Sequence, residues 1–395
     1  MASEIYDINL ADSGLQKIEW VRRNCPLLSM LYDEFSETKP FAGKKVTLSI
    51  HLEAKTAYLC LVLAAGGAEM YVTGSNPLST QDDVAAALES EGVPYVLFDE
   101  IEENPSVETV LRGRDKARAE GADFFIGIGG GSPMDSAKAI SVMTWHGEED
   151  GAYLYEAGAD STAYPVAEVP TTCGTGSEAN GYAVLTVHEQ RTKKSIARHV
   201  FPHLALADPT YLASLPDGVL RSTAVDALCH LMESILNTNA TPYSLMCAET
   251  GLRRWSTCKD ALLAGNVRDL DQAADLLGAS TMAGMAIGHT GTSLPHGLSY
   301  ALTYERGIPH GKACGRFLPG YLAQVKPEER LHVLDLAGFL DLDDLKEFLS
   351  KTSGWFALSD ELREMTVLQL SHNPSKLKQA PFAVDPSVLY AIIDF

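Results

Sequence analysis

The first half of the chain alternates short apolar runs with amphipathic segments. Four apolar runs predict strands, at residues 46–50, 70–73, 95–98 and 124–128. Three segments between them have helical spacing, at residues 53–65, 79–91 and 107–120. Two more helices are predicted ahead of them, at residues 15–25 and 27–35. Strands that alternate with helices in this way predict a Rossmann-like parallel sheet with helices on both faces.

The pattern changes near residue 186, after which strand signals almost disappear. Six segments there have helical periodicity, at residues 221–236, 242–264, 271–288, 295–303, 327–340 and 342–350. The sequence therefore predicts two domains. An α/β dinucleotide-binding domain would cover residues 1–185, and an all-helical, metal-binding domain would cover residues 186–395.

Charge and composition narrow the class of protein. The 395 residues include 52 acidic and 31 basic side chains, for a net charge of −21. Such a chain repels polyanions on average, so we expect no nucleic-acid partner. No apolar run approaches the length of a membrane span, and the first residues lack the pattern of a signal peptide. Seven scattered cysteines without a Cys-x-x-Cys pair favour a reducing compartment, so we expect a cytoplasmic location.

A glycine-rich turn, IGIGGGSPMDSAK at residues 126–138, follows the last predicted strand and opens a helix. The turn consists of Gly129, Gly130, Gly131 and Ser132. Glycines let a ligand approach the backbone, and amides at a helix start bind phosphate oxygens. Asp135 would lie in the first turns of that helix. The motif predicts a cofactor-phosphate site, and a tight turn without a ligand is the alternative.

A second loop, PTTCGTGSEAN at residues 170–180, is rich in hydroxyl groups and glycine. Thr171, Thr172 and Thr175 could bind a diphosphate or the ribose of a nicotinamide cofactor. The same composition also suits an ordinary Ser/Thr/Gly loop, and the loop by itself favours that interpretation.

The segment DALCH, at residues 226–230, places a carboxylate and an imidazole on one helix face, because Asp226 and His230 are separated by four residues. The two groups could satisfy each other, or both could bind a metal. Two Pro-His-Gly units add His296 and His310. One carboxylate and three imidazoles suit Zn²⁺ or Fe²⁺ better than Ca²⁺ or Mg²⁺. Unrelated core or surface histidines are the alternative.

These motifs together resemble the iron-dependent alcohol dehydrogenase family, from about Phe98 to the C-terminus. The resemblance rests on FDEIEENPSVETV, IGGGSPMDSAKAI, PTTCGTGSEAN, LADP, VDALCHLMES and the two Pro-His-Gly units. It implies a dinucleotide domain before a helical domain, and it makes a homodimer plausible. The implied metal ligands are Asp226, His230, His296 and His310. The implied cofactor residues are Gly129, Gly130, Gly131, Ser132, Asp135, Thr171, Thr172 and Lys194.

Two positions depart from the family pattern. Many members carry a further histidine four residues after the third metal ligand, where this chain has Tyr300. A phenol can still pass a proton, although its ordinary pKa is far from neutral. We therefore count Tyr300 with His296 and His310 as candidate catalytic residues, and His289 is a spare candidate. Gly74 stands where the family usually has an acidic residue, which weakens the expectation of NAD and permits NADP.

The N-terminal segment, about residues 5–95, resembles S-adenosylhomocysteine hydrolases instead. The resemblance rests on HLEAKTA and GSNPLSTQDD. It places His51, Glu53 and Thr80 at positions that bind the nucleoside in those enzymes. On this evidence we expect the chain to be a junction of two families, joined within a strand of the sheet.

The expected function is a metal-dependent alcohol or aldehyde oxidoreductase. Hydride would pass between a small alcohol and NAD or NADP, with Fe²⁺ or Zn²⁺ acting as a Lewis acid on the alcohol oxygen. The cleft between the two halves is the expected site. A folded but inactive chimera that binds nucleotide or metal is the alternative. Adenosylhomocysteine hydrolysis is a third and weaker reading, because the rest of that enzyme has no counterpart here.

Overall fold

The computed structural model of the chain describes most of its residues. The described residues are 7–50, 52–74, 81–90, 98, 100–147, 149–265, 267 and 269–395. Most of the strand predicted at residues 95–98, together with His51 and Thr80, lies outside them.

Strands and helices alternate in the first half and helices dominate the second. Strands β1 to β7 are Lys45–Ile50, Glu69–Gly74, Phe124–Gly129, Val166–Pro170, Val184–Val187, Thr192–Ser195 and Leu204–Ala205. Helices α1 to α6 are Ala11–Asn24, Pro26–Thr38, Ala54–Ala65, Asp82–Ser90, Val107–Glu120 and Gly131–Trp145. Helices α7 to α17 are Asp217–Ile235, Pro242–Ser256, Lys259–Ala264, Leu270–Thr290, Leu294–Arg306, His310–Gln324, Pro327–Leu336, Leu342–Ser353, Asp360–Ser371, Pro374–Lys378 and Pro386–Asp394. The predicted order, an α/β region followed by a helical region, is confirmed.

The backbone groups into two compact units. The first contains the described residues up to Val169, together with Ala183–Leu185 and Ser195–Leu204. The second contains Pro170–Tyr182, Thr186–Lys194 and the chain from Ala205 onward. The predicted domains, 1–185 and 186–395, stay a prediction.

The first unit is built on a five-stranded sheet with the order β2-β1-β3-β4-β7. Strand β1 pairs in parallel with both β2 and β3, so that Val46 lies opposite Met70 on one side and Phe124 on the other. All six residues of β3 are buried, as expected for a central parallel strand covered on both faces. This placement delivers the glycine-rich turn to the end of a buried strand.

Helix α6 lies very close to β3 because glycine occupies the contact. A Cβ on Gly127 would lie 2.8 Å from the Cα of Met134. The helix also carries Lys138, whose ammonium lies 3.6 Å from a carboxylate oxygen of Glu168. Both side chains are fully buried. Buried charges require such partners, so Lys138 has a structural role in the first unit.

The second unit has its own apolar core around α7, α8, α10, α11 and α12. Trp255 is fully buried there and donates its indole N–H to the Ala224 carbonyl at 2.7 Å. The helix predicted at residues 242–264 is divided into α8 and α9. Ser256 and Thr257 at the break bond to backbone carbonyls one turn back, a habit that makes these residues weak helix formers. Within the described part of the chain, no helix is both long and apolar enough to cross a bilayer.

Replacing Gly320 with alanine tests the close helix packing of the second unit. A Cβ there would lie 2.1 Å from the Ile392 carbonyl oxygen of α17, whereas one at Gly218 in α7 would meet nothing within 4 Å. Overpacking a core typically costs about 1–3 kcal/mol, so Gly320→Ala should lower the thermal midpoint by several degrees. The control Gly218→Ala should be neutral or slightly stabilising, because alanine favours helices. Equal midpoints for the two variants in thermal unfolding would contradict this packing.

Candidate active site

Helix α7 carries Asp226 and His230 into the core of the second unit, where both are at least nine-tenths buried. The Nδ1 atom of His230 lies 3.2 Å from the Gly174 carbonyl oxygen. A carbonyl can only accept, so Nδ1 carries the proton and Nε2 keeps its lone pair. His230 is thus held in the tautomer that a metal ligand needs.

The N-terminal turns of α11 and α12 bring the other two histidines to the same carboxylate. The Asp226 Oδ1 atom lies 3.4 Å from His296 Nε2 and 3.7 Å from His310 Nε2. The His296 ring also stacks on the His230 ring, with centroids 4.3 Å apart. The structure therefore brings together the four residues proposed from the sequence as metal ligands.

Glu233 orients His296 and was not anticipated from the sequence. Its fully buried carboxylate accepts from His296 Nδ1 at 2.5 Å and from the Ser293 backbone N–H at 2.6 Å. With Nδ1 engaged in this way, Nε2 of His296 faces Asp226. The available signal was a second carboxylate on the apolar face of α7, three residues after His230.

Two polar atoms at the centre of the cluster are left unsatisfied. Asp226 Oδ1 and His296 Nε2 are buried, and neither has a hydrogen-bond partner among the described residues. Such atoms each cost about 1–3 kcal/mol unless something pairs with them. A divalent cation would satisfy both, so the donor set fits a bound metal.

Cys314 also belongs to the cluster and was missed in the sequence. One potential ligand atom from each of Asp226, His296, His310 and Cys314 lies within 4.8 Å of all the others. Cys314 follows His310 by four residues on α12, so the spacing used to pair Asp226 with His230 would have found it.

The protonation pattern of three of the ligands also suits a cation. Burial alone would raise the pKa of Asp226, but the imidazoles of His230, His310 and His296 together lower it below its ordinary value. Burial lowers the pKa of His230 to about 4. Burial, reinforced by the charge of Lys193, lowers the pKa of His310 well below its ordinary value. At neutral pH the carboxylate is charged and these two imidazoles are neutral, as metal binding requires.

Tyr300 lies next to this cluster, with its ring centroid 6.1 Å from that of His310. Burial raises the pKa of Tyr300 to about 12. The phenol therefore keeps its proton at neutral pH and can donate it. Lys193 is buried, with its ammonium 6.0 Å from the Tyr300 ring centroid, whereas Lys194, the residue proposed from the sequence, is exposed. His289 is exposed and packs against Tyr243, so it is not part of the cluster.

The glycine-rich turn of the first unit has the predicted strand-to-helix form. Gly129 has a φ of +147°, and a Cβ there would lie 2.7 Å from the Pro133 ring, so a glycine is needed. Gly130 caps α6 without a side-chain hydrogen bond, and Gly131 begins the helix. The other two proposed residues have structural contacts: the Ser132 hydroxyl accepts from the Asn104 N–H, and the Asp135 carboxylate accepts from the Val184 N–H.

The threonine loop of the second unit contains one hydroxyl that its own fold does not use. The Thr172 hydroxyl oxygen is buried and has no hydrogen-bond partner among the described residues. Thr175 instead accepts from the Ser177 N–H at 3.3 Å, and Thr171 is half-buried. Thr172 is therefore the best placed of the three to bind a ligand.

The fold and the buried cluster define a class of protein that combines a parallel α/β unit with a helical unit carrying a candidate metal centre. Two family models match the chain. "Iron-containing alcohol dehydrogenase" matches residues 54–209, and "Fe-containing alcohol dehydrogenase family, C-terminal" matches residues 221–368. An iron-containing alcohol dehydrogenase from Thermotoga maritima is 32% identical, with a TM-score of 0.74 over 90% of this chain and 92% of its own. The chain belongs to the iron-containing alcohol dehydrogenase family.

Curated relatives agree with this assignment. A long-chain primary alcohol dehydrogenase of Thermoanaerobacter ethanolicus is 32% identical over 62% of this chain and 62% of its own length. An NAD-dependent methanol dehydrogenase of Bacillus methanolicus is 28% identical over 65% of this chain and 68% of its own. The chain thus spans less than two thirds of the length of the first of these relatives.

The expected junction with S-adenosylhomocysteine hydrolases is not supported. The dehydrogenase family model already matches from residue 54, well before the junction placed near residue 95. The Thermotoga maritima structure likewise covers nine-tenths of the chain. Strand–helix–strand units of unrelated α/β proteins share glycine turns and apolar strands, so short motifs there are weak evidence of origin.

Replacing Glu233 with glutamine tests the orientation of His296. Losing a partner that orients a metal-bound histidine typically lowers metal affinity about 10–100-fold. Glu233→Gln should show a loss of this size for Zn²⁺ in titration calorimetry. The fold should survive, because the amide oxygen can still accept from Ser293. Glu249→Gln, which removes a partly exposed carboxylate of α8 paired with Arg253, should bind Zn²⁺ like the parent protein. Unchanged affinity in Glu233→Gln would refute the orienting role.

Proposed function

We propose that the protein is a metal-dependent alcohol or aldehyde oxidoreductase that transfers hydride between a small alcohol and NAD or NADP. The observation that carries this proposal is the buried cluster in which Asp226 Oδ1 and His296 Nε2 have no hydrogen-bond partner within the described part of the chain. Family membership supports the same reaction, since the named relatives are alcohol dehydrogenases.

We propose that Asp226, His230, His296 and His310 hold Fe²⁺ or Zn²⁺. Both ions accept mixed nitrogen and oxygen ligands. When bound, the metal supplies a Lewis acid that polarises the alcohol or carbonyl oxygen of the substrate. The side chains of Asp226, His230 and His296 are buried in the second unit, whereas the His310 side chain is 24% exposed.

The protein's own residues then orient the ligands and handle the proton. Glu233 fixes the ring of His296, and the Gly174 carbonyl fixes that of His230. Tyr300 Oη holds its proton at neutral pH, so it suits the donation of a proton during aldehyde reduction. In alcohol oxidation the proton must leave to a group that accepts one at that pH, and we assign this role to water.

For the cofactor, we propose that the Gly129–Ser132 turn and the free amides at the start of α6 bind a diphosphate. The Thr172 hydroxyl is proposed as a cofactor contact as well, because it is buried and has no hydrogen-bond partner among the described residues. One relative is named as NAD-dependent. Gly74, at the end of β2, presents no carboxylate to repel a 2′-phosphate, so NADP is also proposed as a substrate.

A reducing compartment such as the cytoplasm is proposed as well, because the seven cysteines are scattered along the chain without a Cys-x-x-Cys pair. A homodimer is proposed on the family resemblance, and light scattering of the purified protein would decide it.

His310→Ala is the central test of this function. Removing one ligand should lower both bound metal and alcohol-dependent NAD(P)⁺ reduction by at least about 100-fold. The loss of a residue that only orients a ligand usually costs about 10–100-fold. Metal content by mass spectrometry and activity on a panel of short alcohols and diols would be measured together, after loading with Fe²⁺ or Zn²⁺. His332→Ala, which changes an exposed histidine of α13, is the control. Activity that persists without bound metal would overturn the proposal, and turnover by the parent protein would exclude the inactive alternative.

Thr172→Val tests the cofactor assignment. The hydroxyl makes no hydrogen bond within the described protein, so its loss should not lower the thermal midpoint. A lost hydrogen bond to a ligand is worth about 0.5–1.5 kcal/mol, so the cofactor KM should rise about two- to tenfold. Thr144→Val is the matched control, because its buried hydroxyl also lacks a described partner and lies about 20 Å along α6 from the glycine turn. Equal KM values for the two variants would contradict the assignment.

A further inference from the structure

We propose that Cys314 is a further ligand of the metal centre, and that its sulfur biases the centre toward Zn²⁺ over Fe²⁺. This inference rests on the proposed metal centre and deepens it. Sulfur is a type of ligand that the proposed set of Asp226 and three histidines does not contain.

The position of Cys314 on α12 is the first argument. Cys314 lies one helical turn beyond His310, and its Sγ is 3.8 Å from His310 Nε2. It also lies within 4.8 Å of the ligand atoms of Asp226 and His296. His230 is not among the four residues of this group, although its ring stacks on the His296 ring with centroids 4.3 Å apart. The thiol therefore belongs to a group of mutually close ligand atoms that includes three of the ligands expected from the sequence.

The surroundings of the thiol are the second argument. Cys314 is fully buried. Two other atoms of the group, Asp226 Oδ1 and His296 Nε2, are buried and lack hydrogen-bond partners among the described residues. A carboxylate oxygen, two imidazole nitrogens and a sulfur thus lie close together. Two of these four atoms have no hydrogen-bond partner among the described residues. Cys314 therefore adds a sulfur donor, of a type that zinc accepts, to the ligand set proposed above.

The chemistry of sulfur gives the selectivity. Thiolates are soft ligands and favour Zn²⁺, whereas an all-nitrogen and oxygen set accepts Fe²⁺ equally well. When the metal binds, the S–H bond breaks, a sulfur–metal bond forms, and the proton leaves to solvent without any change in oxidation state. The competing interpretation is that the thiol only donates a weak hydrogen bond to His310.

The experiment loads the full-length protein with Co²⁺ alone and records its near-ultraviolet spectrum. A thiolate ligand produces a sulfur-to-cobalt charge-transfer band that nitrogen and oxygen ligands do not. We expect the band in the parent protein and in Cys247→Ala, which removes a buried core cysteine of α8 outside the cluster. Cys314→Ser should lose the band, and its Zn²⁺ affinity should fall at least about tenfold. Losing a residue that only orients a metal ligand already costs about 10–100-fold, so the loss of a ligand should cost no less.

Zinc-edge X-ray absorption of the Zn²⁺-loaded parent protein gives an independent measurement that needs no variant. It should show one sulfur at about 2.3 Å from the metal. Bound Co²⁺ without the band, a band that survives in Cys314→Ser, or a zinc shell without sulfur would each overturn the role of Cys314 and leave the proposed function intact. A parent protein that binds neither metal would overturn both proposals.

Discussion

The structure depends on one constraint: a carboxylate and three imidazoles meet inside an apolar helical core, where Asp226, His230 and His296 are buried and His310 is partly exposed. A buried carboxylate without charged partners carries a heavy desolvation cost, and the imidazoles of His296 and His310, within 3.7 Å of Asp226 Oδ1, offset part of it. Those histidines begin two different helices, so α11 and α12 must both start beside α7. The helix packing of the second unit therefore also determines where the candidate metal ligands lie.

Glycine makes that approach possible. A Cβ at Gly311, directly after His310, would lie 1.8 Å from the Ser222 carbonyl oxygen of α7. At Gly174 it would lie 2.8 Å from the carbonyl oxygen of Thr223. Both glycines let backbone lie against α7 at van der Waals limits, where Gly174 can also accept from His230. The glycines of the Pro-His-Gly and Cys-Gly-Thr-Gly segments thus help to position the candidate metal ligands, in addition to any role in loop conformation.

The order of strands and helices and the pairing of Asp226 with His230 were predictable, because the sequence patterns that indicate them are local. Period-two and period-3.6 patterns give strands and helices, and four-residue spacing pairs Asp226 with His230. Glu233 and Lys193 were missed because their roles depend on contacts between elements distant in the chain, whereas Cys314 could have been found from its four-residue spacing after His310. A carboxylate three residues after a histidine looks like an ordinary helix face until α11 is placed beside it. The hydrolase-like N-terminus shows the opposite error, since local identity there suggested an origin that the wider match does not support.

The charge balance of the cluster explains why metal and proton compete there. Burial by itself lowers the pKa of His296, but Cys314, Glu233 and Asp226 raise it well above its ordinary value. Two carboxylates in an apolar core require positive charge nearby, and without a metal His296 supplies it as an imidazolium. A metal at Nε2 replaces that proton and meets the same electrostatic demand. The groups that raise the pKa of His296 are thus also groups that would attract a metal cation.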